Sequence, residues 1–129
     1  MRHLLLGLLL AAASSAPARA DEPCPAQSGS LDDIASKIAS APDCARAYAV
    51  MKACAVTTIG GVALATAVAD ICEPRFLYRL SSRQRRAYAS EVARCRQQYE
   101  EQKRTMYVSI DAICEAGVAA DFARRYGKR

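Results

Sequence analysis

The stretch YASEVARCRQQY, residues 88–99, has the clearest helical pattern in the sequence. Its apolar positions recur every three or four residues, which places them on one face of an α-helix: Tyr88, Val92, Cys95 and Tyr99. Charged side chains fill the positions between them. The spacing therefore predicts an amphipathic helix, beginning near Ser81 or Ser82 and ending about Gln102, that turns one cysteine towards the rest of the molecule.

A second long helix follows this one. Thr105 can serve as its N-cap, and the helix is expected to run to about Tyr126. Its apolar seam has the same helical spacing: Met106, Ile110, Ile113, Gly117 and Ala120. Cys95 and Cys114 lie at similar distances on either side of the turn near Arg104, so an antiparallel hairpin would bring them face to face.

Three shorter helices are predicted before this hairpin. Ser30 caps the first, with Asp32 and Asp33 in its first turn. The second begins at Pro42 and ends about Val56. The third covers 62–72, where Pro74 is expected to end it. No alternating apolar and polar run is long enough for a sheet, so the fold class is all-α: a small disulfide-stapled bundle of about four to five helices.

The N-terminus has the pattern of an export signal. A short positive region, Arg2 and His3, precedes an apolar segment over 4–13 that is too short for a stable membrane anchor. Ala18 and Ala20 fit a cleavage site before Asp21. We therefore expect a cleaved signal peptide over 1–20, an irregular lead over 21–30, a single helical domain over 31–126 and a frayed tail over 127–129. The mature chain would be periplasmic or secreted, without a membrane span.

All six cysteines lie in the predicted mature chain, where six cysteines allow fifteen disulfide pairings. Cys44 and Cys54 stand ten residues apart on one helix, roughly 15 Å along its axis, and cannot pair. The hairpin geometry favours Cys95–Cys114. It also favours Cys44–Cys72, which leaves Cys24 for Cys54, while Cys54–Cys72 is the competing choice. No Cys-x-x-Cys or zinc-module spacing is present, so we expect structural bridges.

The uncharged segment 53–69 approaches membrane length, but Gly60 and Gly61 interrupt it and threonines dilute it. We expect it to contain the most buried helix of the domain. An alternative is that this segment docks the chain, as a structural or accessory subunit, into an envelope assembly.

Catalysis is not favoured by these residues. The one histidine, His3, belongs to the predicted signal, so the mature chain lacks imidazole chemistry. Neighbouring carboxylates such as Asp32 and Asp33 diverge by about 100° on a helix. Glu100 and Glu101 do the same. No cofactor or metal site is expected, and a hydrolase is the least favoured class.

Charge is unevenly distributed along the mature chain. Residues 21–74 carry seven acids and three bases, whereas residues 75–104 carry nine bases and three acids. The basic region could contact an anionic envelope component or an envelope protein. Export and the lack of interleaved aromatics disfavour nucleic acid, and Tyr78, Tyr88, Tyr99 and Tyr107 are expected to pack. The candidate partner surface combines one helical stripe with the hairpin tip: Arg79, Arg83, Arg86, Lys103, Arg104, Thr105 and Tyr107.

The C-terminal half resembles the small periplasmic lysozyme-inhibitor-like family, and also uncharacterised exported proteobacterial proteins with paired cysteines. The matching positions span the predicted hairpin: Leu80, Gln84, Arg94, Cys95, Thr105, Met106 and Cys114. Arg104 stands where that family has glycine, and the chain has no tryptophan. The resemblance implies an inhibitory binding protein. However, a basic half would repel a basic lysozyme.

Taken together, these residues predict a non-catalytic exported protein that acts by binding an unknown envelope partner. They do not predict its oligomeric state.

Overall fold

The structure, a computed structural model, describes residues 23–26, 28–55, 60–100 and 105–127, without the side chains of 99–100 and 105–109. These residues form five α-helices and one 3-10 turn, and no strand occurs among them. The predicted all-α, disulfide-stapled bundle is therefore confirmed. The predicted signal peptide, residues 21–22 and 27 of the lead and residues 128–129 of the tail lie outside the described residues. The elements are α1 (Leu31–Ala39), α2 (Cys44–Ala55), α3 (Gly61–Phe76), the 3-10 turn (Leu77–Arg79), α4 (Ser82–Glu100) and α5 (Thr105–Tyr126).

Local capping signals set where the helices begin. The Ser30 Oγ accepts a hydrogen bond from the Asp33 N–H at 3.2 Å, as expected of an N-cap. Ser81 and Gln84 form a reciprocal capping box: the Ser81 N–H donates to Gln84 Oε1 at 2.8 Å, and the Gln84 N–H donates to Ser81 Oγ at 3.3 Å. This box places the start of α4 where the sequence predicted it.

Two boundaries differ from the predictions. Asp43 is the cap of α2, because its Oδ1 accepts from the Arg46 N–H at 2.7 Å, so α2 begins at Cys44 and not at Pro42. Pro74 does not end α3, which continues to Phe76. A proline in the last turn removes only one backbone hydrogen bond. Burial of Phe76, which is fully inaccessible to solvent, offsets that loss.

The core is centred on α3, which packs against α1, α2 and α5. Within segment 53–69, Cys54, Leu64, Ala65 and Val68 are buried, as expected for the most apolar helix. Residues 56–59 of that segment lie outside the described residues. The other large buried side chains come from the end of α3 and from the neighbouring helices, and they complete one continuous core: Phe76 of α3, with Ile34, Ile38, Met51 and Phe122.

The α2 and α5 helices approach closely at Gly117. A Cβ added at Gly117 would lie 2.8 Å from the Tyr48 Oη, nearer than real Cβ contacts occur. Tyr48 is half-buried there, and this burial raises the pKa of its phenol. Glycine is therefore required by the close approach of these two helices.

Three disulfides bind the helices together. Cys24–Cys54 joins the N-terminal lead to α2, with Cα atoms 4.7 Å apart. Cys44–Cys72 joins α2 to α3 at 5.6 Å, and Cys95–Cys114 joins α4 to α5 at 5.7 Å. These are the pairs that the hairpin geometry favours, and Cys54–Cys72 does not form. The first two bridges interleave along the chain, while the third stands apart.

The disulfides also indicate where the protein functions. Such bridges form and persist in oxidising compartments, and three of them in a chain of this size place it outside the cytoplasm. None of the helices in the described residues is both long enough and apolar enough to span a bilayer.

Candidate functional site

One side of α4 is directed away from the bundle. Arg83, Arg86 and Arg94 lie within about 80° of one another around the helix, at about 100° per residue. Tyr88 and Cys95, which face the core, lie on the opposite side. All three arginines are exposed, whereas Cys95 is buried and Tyr88 is half-buried. The helix therefore presents arginine to solvent over most of its length.

The chain just before α4 extends this positive region. Arg75, at the end of α3, and Arg79, in the 3-10 turn, are both exposed. Residues 74–90, called here the basic stretch, contain five arginines and no aspartate or glutamate. Glu73 and Glu91 flank it. Because the 3-10 turn directly connects α3 to α4, the basic stretch forms one end of the bundle.

The arginines of the basic stretch are not neutralised by ion pairs within the described part of the chain. The ion pairs found there use other cations: Arg96 with Glu115, Arg124 and Arg125 with Asp121, and Arg125 with Glu91 at 4.0 Å. Arg85 donates its Nε–H to the Leu80 carbonyl at 3.3 Å. The arginines at 75, 79, 83 and 86 are left to interact with solvent or with a partner.

Tyr78 differs from the prediction that it packs. Its side chain is 66% exposed, more than any other large apolar or aromatic side chain described. The reason is its position in the 3-10 turn, where the helical spacing of α4 does not apply. Tyr88, in contrast, packs as expected. The side chains of Tyr99 and Tyr107 lie outside the described residues.

The other half of the predicted partner surface lies at the turn between α4 and α5. Lys103 and Arg104 are outside the described residues. Thr105 is the first residue of α5, but neither its side chain nor that of Tyr107 is described. The structure therefore shows that Arg79, just before α4, and Arg83 and Arg86, in its first turns, are exposed. These three residues are called here the arginine face, and the hairpin tip stays a prediction.

A cleft of about 340 Å³ lies between α3 and α4, with Glu115 of α5 in its lining. The other polar lining residues are Glu73, Tyr88 and Arg96, and alanines form most of the remaining wall. Tyr88 donates its hydroxyl proton to Glu73 Oε1 at 2.7 Å. Arg96 donates to Glu115 through Nε at 2.6 Å and through Nη2 at 3.5 Å. The polar groups thus satisfy one another.

Electrostatics in the cleft follow from these bonds. Burial raises the pKa of the Tyr88 phenol, and the adjacent Glu73 and Glu115 carboxylates raise it further. The hydrogen bond to Glu115 raises the pKa of the Arg96 guanidinium. Tyr88 therefore stays protonated and cannot act as a base. Sequence reasoning missed this cleft, because its walls come from helices whose relative placement depends on long-range packing.

The remaining reactive groups have structural roles. The Asp33 carboxylate accepts from the Ser28 N–H at 3.2 Å and the Ser28 hydroxyl at 3.0 Å, which ties the lead to α1. All six cysteines are oxidised to disulfides. Within the described ranges, no three histidine, cysteine, aspartate or glutamate side chains are placed to hold a metal ion.

Comparison with protein-family models, with curated proteins and with solved structures found no match to this chain. The resemblance of the C-terminal half to the lysozyme-inhibitor-like family stays an expectation from its residues. The fold and the candidate site thus define the class of protein: a disulfide-stapled helical protein with a positively charged end.

Proposed function

We propose that this chain is an exported, non-catalytic protein that binds an anionic partner of the cell envelope, in the periplasm or outside the cell. The observation that carries the proposal is the arginine face, Arg79, Arg83 and Arg86. These side chains are exposed and have no ion pair among the described residues. Guanidinium groups bind carboxylate and phosphate in a bidentate manner, so they suit an anionic partner.

The scaffold supports binding by this face. Cys95–Cys114 holds α4 against α5, and the capping box at Ser81 and Gln84 holds its first turn. Arginines on a helix that is fixed in this way lose less conformational entropy when a partner binds.

The state of the polar side chains in the cleft favours a binding role over a catalytic one. The Tyr88 phenol has a raised pKa, and Glu73 and Glu115 are hydrogen-bonded. General acid–base catalysis needs a group whose pKa lies near the working pH. We therefore propose no reaction for the cleft.

An inhibitory role, which the resemblance to the lysozyme-inhibitor-like family implies, is compatible with this proposal for an acidic target. The arginine face would repel a basic lysozyme and attract an acidic enzyme.

A second candidate function is that of an accessory subunit docking through segment 53–69. Val62, at the start of α3, is 41% exposed, and Leu31 is 43% exposed. A Cβ at Gly60 would overlap the Leu31 side chain, so Leu31 lies against the residue that precedes α3. Light scattering after size exclusion, combined with hydrogen exchange, tests this function. A monomer in which residues 60–69 are protected would argue against it.

The test of the main proposal is capture of envelope components by the oxidised protein. We expect Arg83→Glu/Arg86→Glu to abolish capture at low salt, because the charge that attracts the partner is reversed. The matched control is Lys37→Glu/Lys52→Glu, which changes the net charge equally at two exposed lysines outside the basic stretch. Capture that is unchanged in the arginine variant, or lost equally in both variants, would contradict the proposal.

A further inference from the structure

The basic end of the bundle carries an exposed aromatic ring among its arginines. Tyr78 lies between Arg75 and Arg79 in the chain, and all three side chains are exposed. Leu77, beside Tyr78, is half-buried against the core. This turn therefore presents one phenol and several guanidinium groups to solvent, with no carboxylate between Glu73 and Glu91.

We propose that the anionic partner is a phospholipid surface, which the protein contacts with the basic stretch while Tyr78 lies at the level of the headgroups. This inference rests on the proposed function and names the class of its partner. The arginines contact lipid phosphates, and their aliphatic stems lie along the outer part of the bilayer. The tyrosine ring enters the interface, and its hydroxyl stays hydrated.

The shape of the basic end favours a membrane over an acidic protein. Stable protein interfaces centre on an anchor side chain that fills a desolvated pocket. The cleft described above lies between α3 and α4, and its lining includes none of Arg75, Arg79 or Tyr78. The basic end is formed by a turn and the first turns of a helix. Exposed guanidinium groups and one exposed ring on such a surface fit a broad layer of anionic headgroups better than a shaped protein partner.

The first experiment measures partitioning of the oxidised protein onto vesicles by sedimentation. Vesicles of phosphatidylglycerol mixed with phosphatidylcholine are compared with vesicles of phosphatidylcholine alone. Each arginine near an anionic surface strengthens partitioning roughly fivefold. Removing two of these charges by Arg83→Gln/Arg86→Gln should therefore weaken partitioning about 25-fold. Raising the salt concentration should weaken the wild type as well, because ions screen exposed charges.

The matched control is Lys37→Gln/Lys52→Gln, which removes the same charge elsewhere on the surface. We expect this variant to partition within about twofold of the wild type, since these lysines lie on α1 and α2, outside the proposed contact, and salt screens their attraction to the surface. Equal binding to both kinds of vesicle, or equal losses in the arginine and lysine variants, would overturn the inference.

The second experiment uses the absence of tryptophan from the chain. Tyr78→Trp introduces a single indole at the proposed contact, and its emission should shift to shorter wavelength on vesicles that contain phosphatidylglycerol. Brominated lipids should quench it. Leu31→Trp places the probe at an exposed position on α1 and should show neither effect. If the indole of the Tyr78→Trp variant is neither shifted nor quenched, the placement of this turn at the membrane is wrong.

The two proposals fail in distinguishable ways. If vesicles do not bind the protein but an acidic envelope protein is captured through Arg83 and Arg86, the lipid inference is wrong and the proposed function stands. If neither binds through these arginines, both are wrong.

Discussion

The region α1–α3 and the helix α4 are held in the molecule by different interactions. The first three helices share a continuous apolar core, and two interleaved disulfides cross it. In contrast, α4 packs mainly on α5, and Cys95 is its one buried side chain among those described. What holds α4 is one disulfide, one tyrosine and the ion pairs to α5. A helix held along so narrow a seam keeps most of its surface for contacts outside the molecule.

This difference between α1–α3 and α4 explains why α4 tolerates arginines that have no ion pair among the described residues. A helix inside the core cannot leave guanidinium groups unpaired, because desolvation of a charge is costly. On α4 the arginines stay in water, so they cost little in the folded state. The core that α1–α3 share with α5 supplies most of the stability, and α4 supplies exposed surface.

The largest expected effect comes from breaking the junction between the two regions. Phe122 is 1% exposed, and its ring centroid lies 5.9 Å from Phe76 of α3, 5.0 Å from Tyr88 of α4 and 5.5 Å from Tyr126. We expect Phe122→Ala to lower the free energy of unfolding by about 3–5 kcal/mol, measured by denaturant titration. Phe122→Leu should cost much less. Equal, small losses in both variants would show that the junction is not a packed one.

Removal of a disulfide should have a different effect in each of the two regions. Cys44→Ala/Cys72→Ala and Cys95→Ala/Cys114→Ala open loops of 28 and 19 residues, each worth about 3 kcal/mol in the chain-entropy model. The first pair is also buried, at 4% and 0% exposure, so its loss adds a cavity cost. Hydrogen exchange should show general loss of protection in the first variant and loss confined to α4 in the second. The reverse pattern would refute the division into regions.

Tyr88 tests the polar contact between α3 and α4. Tyr88→Phe removes the hydrogen bond to Glu73, and we expect a loss of about 1–2 kcal/mol at neutral pH, since a bond to a charged group is involved. The folded-state pKa of Tyr88 is raised above the ordinary tyrosine value of 10.0, so its stabilisation is complete below that pH and is lost as the pH rises above it.

The pH dependence of the free energy of unfolding in alkaline solution tests this prediction for Tyr88. Stability of the wild type should fall more steeply above pH 10.0 than that of Tyr88→Phe. Tyr48, whose pKa is raised by burial, keeps a smaller slope in both proteins. Identical slopes would mean that neither burial nor the neighbouring carboxylates raise the pKa of the Tyr88 phenol.

The smallest effect concerns Asp121, which accepts hydrogen bonds from Arg124 and Arg125. The Arg124 bond, more than that of Arg125, lowers the Asp121 pKa below its ordinary value of 3.8. Its stabilisation is therefore present above that pH and is lost as the pH falls below it. Because 37% of the Asp121 side chain is exposed and its arginine partners reach into solvent, Asp121→Asn should cost less than about 1 kcal/mol at neutral pH. A thermal melt at pH values above and below 3.8 measures this difference.

Much of the fold was predictable because its signals are local. Ser30 marks one helix start and Ser81 or Ser82 another, and the placement of Cys95 and Cys114 around one turn favours the pairing that forms. The prediction that Pro74 ends α3 is wrong, because the effect of this proline depends on the burial of Phe76 two residues later.

The candidate site was predictable only where helical periodicity applies. Periodicity correctly directed Arg83 and Arg86 away from the seam of α4. It could not describe Tyr78, which lies in a 3-10 turn, or the cleft at Glu73, whose walls are distant in sequence.

The arrangement of the bridges has a consequence for proteolysis. A single backbone cut between Cys24 and Cys72, or between Cys95 and Cys114, leaves two fragments tied by sulfur. A cut between residues 73 and 94 leaves two fragments with no covalent tie. That connector holds Arg75, Arg79 and Arg83, so a trypsin-like enzyme would convert the chain into a two-piece complex held by packing alone.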